Sequence, residues 1–380
     1  MLYFDHAASS PPYPEVIASV AQAMERYYAN PSSLHRLGQA AEQLIGKARS
    51  VIAGALKTEP GEIYFTSGGT GSKNTAIRAA ARTFRGRGRH IITAMSEHAS
   101  VFETCRQLEE DGFEVTYLKP DRTGRIQPDE VAAAVRDDTI LVSIMHVNNE
   151  TGAIQPIREI GGILANYPKT LFHVDAVQSL GKLDFNPREC GIDLFSGSAH
   201  KFRGPRGAGI LYCRKGLQLK PLMTGGGQEM GLRPGTEPLP LIAGMAKALR
   251  LTIERREANE AKYRMLRKRL TDALARMDGV VLTVPDDAWA APHIVHFCVP
   301  MIRSEVLVHM LEERDIYVST QSACSSGESK PSRVLAAMGL PEALTSSGVR
   351  VSLSADHTAD DIDVLAAAIE DAVARLARKK

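Results

Sequence analysis

With 380 residues, 44% of them hydrophobic, the chain is long enough for two domains and can bury a substantial core. Its 46 basic and 44 acidic side chains leave a formal net charge of +2, which gives no basis for direct nucleic-acid binding, and the basic tract from Arg82 to Arg89 reads as a solvated face. Met1 to His6 shows no basic leader followed by an apolar segment, and no later run approaches the roughly 18 apolar residues of a membrane span, so a cytoplasmic protein without membrane attachment is expected. The five cysteines, Cys105, Cys190, Cys213, Cys298 and Cys324, are odd in number and scattered, which argues against a disulfide framework and against a metal site.

Helical and strand patterns alternate from Pro14 to about Tyr212. Helices are predicted near Glu15 to Tyr28 and Ala40 to Leu56, and strands at Glu62 to Phe65, His90 to Thr93, Glu114 to Leu118, Thr139 to Met145, Thr170 to Val174 and Ala208 to Cys213. Such alternation predicts an α/β fold with a mostly parallel sheet covered on both faces. The glycine-rich stretch from Thr224 to Gly235 breaks the pattern, and Leu239 to about Met277 reads as one long or twice-broken helix joining two domains. Beyond it, strands at Val280 to Val284, His293 to Val299 and Gly348 to Leu353, with helices near Ser304 to Arg314, Ser332 to Met338 and Thr358 to Leu376, predict a smaller α+β domain. The expected division is 13–245 for the large domain, and 1–12 with 246–380 for the small one.

The chemistry concentrates in two stretches. Ser198-Ala199-His200-Lys201 offers a lysine, the side chain whose primary amine can form an imine with an aldehyde. Asp175 closes the apolar run Thr170 to Val174, at the carboxyl end of a strand, where open α/β sheets bind ligands. A carboxylate there suits a pyridinium nitrogen and makes the ring an electron sink. Taken singly, the aspartate would cap a turn and the lysine would be solvated; together they point to pyridoxal phosphate.

A phosphate group needs backbone amides, hydroxyls and a helix amino terminus, and Thr66-Ser67-Gly68-Gly69-Thr70-Gly71-Ser72 supplies them between a strand and a helical pattern, with Gly69 and Thr70 as the candidates. His98 follows the strand near Ile91 to Thr93 and would stack on the flat ring, while Asn149 and Gln178 are candidates for its hydroxyl.

Ordered along nearly the whole chain, these motifs resemble the class V pyridoxal-phosphate enzymes, and within them the cysteine desulfurases of the IscS/NifS type. The resemblance rests on Tyr3 to Ala8, Asn30 to His35, Phe65 to Thr70, Val147 to Glu150, His173 to Gln178, Ser198 to Lys201, Gly225 to Glu229 and Ser322-Ala323-Cys324. It implies a fold-type-I transferase with a seven-stranded sheet and a smaller α+β domain. It also implies Lys201 as the Schiff-base lysine and a general acid and base, Asp175 at the ring nitrogen, Gln178 and Asn149 near the ring oxygen, and His98 on the ring as a second proton carrier. Thr70, Ser198 and His200 would hold the phosphate, and Thr236 would reach the phosphate of a neighbouring subunit, which implies a homodimer.

Arg350 matches the arginine that binds the substrate carboxylate, with Asn149 beside it. Cys324, in a small, polar, glycine-bearing stretch that predicts an exposed loop, would take sulfur from L-cysteine as a persulfide and pass it to a protein acceptor, an iron-sulfur scaffold or a thiolation protein. The chain departs from that pattern at Gly71, Met230, Pro234 and Gln321, which leaves room for a specialised desulfurase. A selenocysteine lyase or another class V aminotransferase, and a sulfur-transfer scaffold without catalysis, are the alternative readings at this point.

Overall fold

The computed structural model describes residues 1–285, 288–300, 302–320 and 331–377. Its strands are β1 (Leu2–Tyr3), β2 (Ile63–Thr66), β3 (His90–Ala94), β4 (Glu114–Leu118), β5 (Thr139–Met145), β6 (Leu171–Asp175), β7 (Leu194–Ser198), β8 (Gly209–Cys213), β9 (Val281–Leu282), β10 (Ile294–Cys298), β11 (Ile316–Tyr317) and β12 (Gly348–Ser352). Seven of them form one sheet in the order β2-β8-β7-β6-β5-β3-β4. Pairing is parallel from β7 across to β4, and β8 runs antiparallel to both its neighbours. The sheet is thus mostly parallel, as the alternating pattern predicts.

Strand side chains point alternately to the two faces, and the sequence obeys that period of two. In β5 and β6, Val142, Ile144, Phe172 and Val174 enter one apolar cluster, while Leu141 and Leu171 enter the cluster on the opposite face. Helices cover both faces. On the second, Ala76, Ile77, Ala80 and Ala81 of helix Gly69–Phe84 press a small-residue stripe onto the sheet beside Leu141, Leu194 and Leu211. A third cluster, around Phe4, Leu270, Phe297, Val349 and Ile369, is the core beneath the antiparallel sheet β12-β10-β9 and the parallel pair β1-β11.

Two expectations are corrected. The segment expected as one long or twice-broken helix is broken once, into Leu239–Glu254 and Arg256–Leu274; Arg255 sits at φ −95° and ψ 1°, outside the helical well, where it pairs with Glu15 and lies over the Tyr13 ring. Strand β7, which the pattern reading passes over, lies inside the sheet between β8 and β6. No helix of the described residues is long and apolar enough to cross a membrane.

Buried histidines make this fold acid-sensitive. His146, His173 and His296 are at most 6% exposed, and burial holds their pKa values down to about 4, about 4 and about 3. Unfolded imidazoles take up protons near pH 6.5, so below that value the unfolded chain binds more protons than the folded one. Stability present above pH 6.5 is therefore lost as pH falls towards 4, by up to about 1.4 kcal/mol per pH unit for each histidine. Thermal melting at pH 7.5 and pH 5.0 should show the lower midpoint at pH 5.0; equal midpoints would mean that these rings are already charged in the folded chain.

Candidate active site

The carboxyl ends of β2, β3, β5, β6 and β7 open on one edge of the large sheet, and a cleft of ≈ 170 Å³ lies there. A single water needs only roughly 10–15 Å³, so the space suits a small organic ligand. Asp175, the last residue of β6, is 4% exposed. Its Oδ1 accepts from the Val177 amide at 3.0 Å and its Oδ2 from Lys73 Nζ at 2.8 Å. Burial pushes this carboxyl up, but the charge and hydrogen bond of Lys73, with the Val177 amide, outweigh it and hold Asp175 below the ordinary carboxylate range. The carboxylate is ionised and fixed.

Lys201 follows β7 in a single tight turn, Ala199–Lys201, and its amine donates to the carbonyls of Ala7 at 2.6 Å and Ala8 at 2.7 Å. Burial, reinforced by the positive charges of Arg350, Lys182 and Lys73, lowers its pKa to about 7. An amine poised there is part free base at neutral pH, as a nucleophile and proton carrier needs. His98 caps helix Ala99–Glu110, its Nδ1 accepting from the Ser100 amide at 3.1 Å. Burial, followed by the Lys73 charge, lowers its pKa to about 3, so a neutral ring faces the cleft.

At one end of the cleft, β2 runs through Gly68, at φ +139°, into helix Gly69–Phe84. A Cβ on Gly69 would lie 2.9 Å from Val177 Cγ2 and 3.3 Å from Ser198 Cβ, so only glycine lets the helix start this close to β7 and to Asp175's neighbours. Thr70, Ser198 and His200 line the same end, where Arg206 adds a cation. Helix amides, two hydroxyls and a guanidinium converge there, a donor set for a phosphate.

At the opposite end Arg350, on β12 and 1% exposed, donates from Nη1 to the Asn149 carbonyl at 2.7 Å and from Nη2 to Asp5 Oδ1 at 2.8 Å. Its Nε is buried without a partner, and so is the Gln178 Oε1, although Gln178 Nε2 donates to the Ala7 carbonyl at 2.9 Å. Both side chains line the cleft. Unpaired buried polar atoms are costly unless a ligand completes them.

The structure thus brings Lys201, His98, Gly69, Thr70, Asn149, Asp175, Gln178, Ser198, His200 and Arg350 together around one cleft. Thr236 is exposed and lies outside that lining. Cys324 falls outside the described residues, but the chain on either side of its segment is anchored near the cleft. Ser319 exchanges two backbone hydrogen bonds with Arg350, at 3.1 and 2.8 Å, and Ser332 Oγ donates to Glu150 at 2.6 Å. Two groups escaped the sequence reading. Glu97, fully buried beside Asp175, is raised to about 8 by burial and by that negative neighbour. Lys73 was legible in principle, since it stands one helical turn beyond Gly69 and on the same face.

The description "Aminotransferase class-V" covers residues 2–365 of this sequence. The chain belongs to the class V aminotransferase family. Within it, the chain is 46% identical over 376 residues to the NifS/IcsS protein homolog of Lactobacillus delbrueckii subsp. bulgaricus, covering 98% of this chain and 97% of that protein. It is 42% identical over 375 residues to the cysteine desulfurase IscS of Methanosarcina thermophila, covering 99% and 92% of the two chains. A solved NifS-like protein superposes with a TM-score of 0.92 at 36% identity, over 98% of this chain and 99% of the other. The fold is that of the fold-type-I pyridoxal-phosphate enzymes, the cofactor is pyridoxal phosphate, and the activity is cysteine desulfuration.

The cleft fits that cofactor on its own geometry. A poised amine and an ionised carboxylate share it, the helix amino terminus and hydroxyls supply a phosphate cradle, and the unpaired Gln178 Oε1 belongs to the same lining.

Proposed function

We propose that this chain converts L-cysteine to L-alanine at the cleft of Lys201 and Asp175, storing the released sulfur on Cys324 as a persulfide for a protein acceptor. The observation that carries the reading is the pairing of a low-pKa buried amine, Lys201, with an ionised carboxylate, Asp175, beside the glycine-bounded helix amino terminus.

Pyridoxal phosphate, when bound, supplies an electron sink for the carbon skeleton of the substrate. Gly69, Thr70, Ser198 and His200 hold its phosphate, Asp175 its ring nitrogen, Gln178 and Asn149 its ring oxygen, and His98 covers the ring. Arg350 binds the substrate carboxylate, for which its planar fork is suited. Lys201 moves the proton at the α-carbon. His98, neutral at working pH, is the second proton carrier.

Sulfur transfer then balances without an outside oxidant. A sulfur–sulfur bond forms between Cys324 and the substrate as the substrate carbon–sulfur bond breaks, the electron pair stays with the carbon skeleton, and protonation there releases alanine. Delivery of the persulfide to a scaffold or thiolation protein in the cytoplasm completes the cycle. A homodimer, with Thr236 of one copy turned to the phosphate end of the other, accounts for the position of Thr236 away from its own cleft.

The purified protein, reconstituted with pyridoxal phosphate, should change its visible absorbance on addition of L-cysteine and form alanine and sulfide in equal amounts when a thiol reductant is present. A cofactor band with no alanine from cysteine would overturn the reading and turn the search to other amino acids.

A further inference from the structure

Lys73 has no part in the chemistry described above, yet it sits at the heart of the site. It lies in the first turns of helix Gly69–Phe84, is 2% exposed, and spends its ammonium on Asp175 Oδ2 at 2.8 Å. The two side chains are 3% and 4% exposed. A buried ion pair is a weak way to stabilise a fold, because desolvating both charges offsets most of their attraction, and an apolar side chain of similar volume packs as well or better. The ammonium at this position therefore calls for a use in the site.

Asp175 has two oxygens and each already accepts one hydrogen bond, Oδ1 from Val177 and Oδ2 from Lys73. Each ionised oxygen keeps a second lone-pair direction, so the carboxylate can take a third donor from the cleft. A ring nitrogen would be that donor. Its proton then shares one negative charge with an ammonium already in place, and two cations on one carboxylate oppose each other across a few ångströms of low-dielectric interior. The other charged or titratable groups facing this carboxylate are His98 and His173, both neutral, Glu97, and Lys201 across the cleft. None of them replaces Lys73 as a hydrogen-bonded cation.

We propose that Lys73 is a positioning residue of the cofactor site: it is the resident counterion of Asp175, fixing that carboxylate and holding down the positive charge on a ring nitrogen bound to it. The inference rests on the reading that the ring nitrogen faces Asp175. The lysine thus tempers how strongly the ring withdraws electrons, rather than touching the reacting atoms itself.

The test compares wild type, Lys73→Met, Lys73→Gln, Lys73→Arg and Asp175→Asn as full chains loaded with pyridoxal phosphate labelled with ¹⁵N in the ring. The readout is the ring-nitrogen chemical shift. In the two neutral Lys73 variants it should move towards the pyridinium value, while Lys73→Arg should keep the wild-type shift. Without cofactor, the neutral variants should also melt roughly 5 °C or more below wild type, because Asp175 is left as a buried unpaired charge, and Lys73→Arg should recover most of the loss.

An unchanged shift in Lys73→Met and Lys73→Gln would overturn the proposal and leave Lys73 a packing residue. So would a neutral variant that folds but cannot take up the cofactor, since sharing predicts competition for Asp175, not dependence on Lys73. If Asp175→Asn instead matches the wild-type shift, the ring nitrogen does not face Asp175, and it is the underlying assignment that fails.

Discussion

Lys201→Ala should load pyridoxal phosphate without the visible absorbance of a lysine-bound cofactor and should form alanine from cysteine at least roughly 10⁴-fold more slowly than wild type. Two functions disappear together. The amine that bonds to the cofactor is lost, and so is the base within reach of the substrate α-carbon. What makes this lysine suited to both is its setting: burial and the neighbouring charges of Arg350, Lys182 and Lys73 bring its pKa to about 7, so that near neutral pH it can be deprotonated without being discarded as a proton carrier. Lys201→Arg keeps the charge and still fails, because a guanidinium stays protonated in proteins. The fold should survive both changes. The Ala variant takes the Lys201 donor from the Ala8 carbonyl, while the Ala7 carbonyl keeps Gln178 Nε2, and it relieves a cluster of like charges, so its melting midpoint should stay within a few degrees of wild type. An Ala variant that retains more than about a hundredth of the activity, measured as alanine formed per bound cofactor, would remove Lys201 from the role assigned to it.

The site is legible in the sequence wherever a residue type is rare in its context. Asp175 at the end of an apolar strand and Lys201 just after a serine-rich turn stand out because buried strands seldom end in charges without a reason, and both line the cleft. Strand β7 does not stand out. Leu194-Phe195-Ser196-Gly197-Ser198 carries two serines and a glycine, yet all five residues are buried, because Ser196 Oγ is satisfied by His173 Nε2 at 3.0 Å and Gly197 leaves room for the Leu180 side chain. That pairing, extended by Ser143 Oγ to His173 Nδ1 at 2.8 Å, is a polar ladder across three strands which no single-strand pattern reveals.

Long-range charge partners are hidden for the same reason. Arg350 finds Asp5 across 345 positions, and Lys73 finds Asp175 across 102, so neither pairing can be read from the sequence. Glycine was informative at Gly69, where the close approach of Val177 and Ser198 forbids a side chain. At Gly71, where the family pattern differs, an added Cβ would meet Ser67 Oγ at 2.7 Å, a flexible neighbour able to turn aside, so the departure is tolerable there and is not required by packing.

Replacing Cys324 should produce the opposite pattern to replacing Lys201. Cys324→Ala should bind the cofactor with an unchanged spectrum and still respond to L-cysteine, since Lys201, Asp175 and Arg350 remain in place; but persulfide on the protein, and sulfur passed to any acceptor, should fall to background. The physical reason is that sulfur must leave carbon with its new partner already present. A free thiolate is the side chain that can accept it, and neither a methyl group nor a hydroxyl at that position forms a sulfur–sulfur bond. Cys105, Cys190, Cys213 and Cys298 cannot substitute, because all four are buried and their thiols are raised above the ordinary range, chiefly by burial. Reach favours Cys324 as well: it stands five positions beyond Ser319, which is hydrogen-bonded to Arg350 at the cleft, a distance the extended chain covers in at most roughly 18 Å. Radiolabelled cysteine followed by non-reducing electrophoresis measures the outcome directly. Label retained on the Cys324→Ala protein at the wild-type level would mean that sulfur is stored elsewhere, and the assignment of Cys324 would fall while the Lys201 chemistry stood.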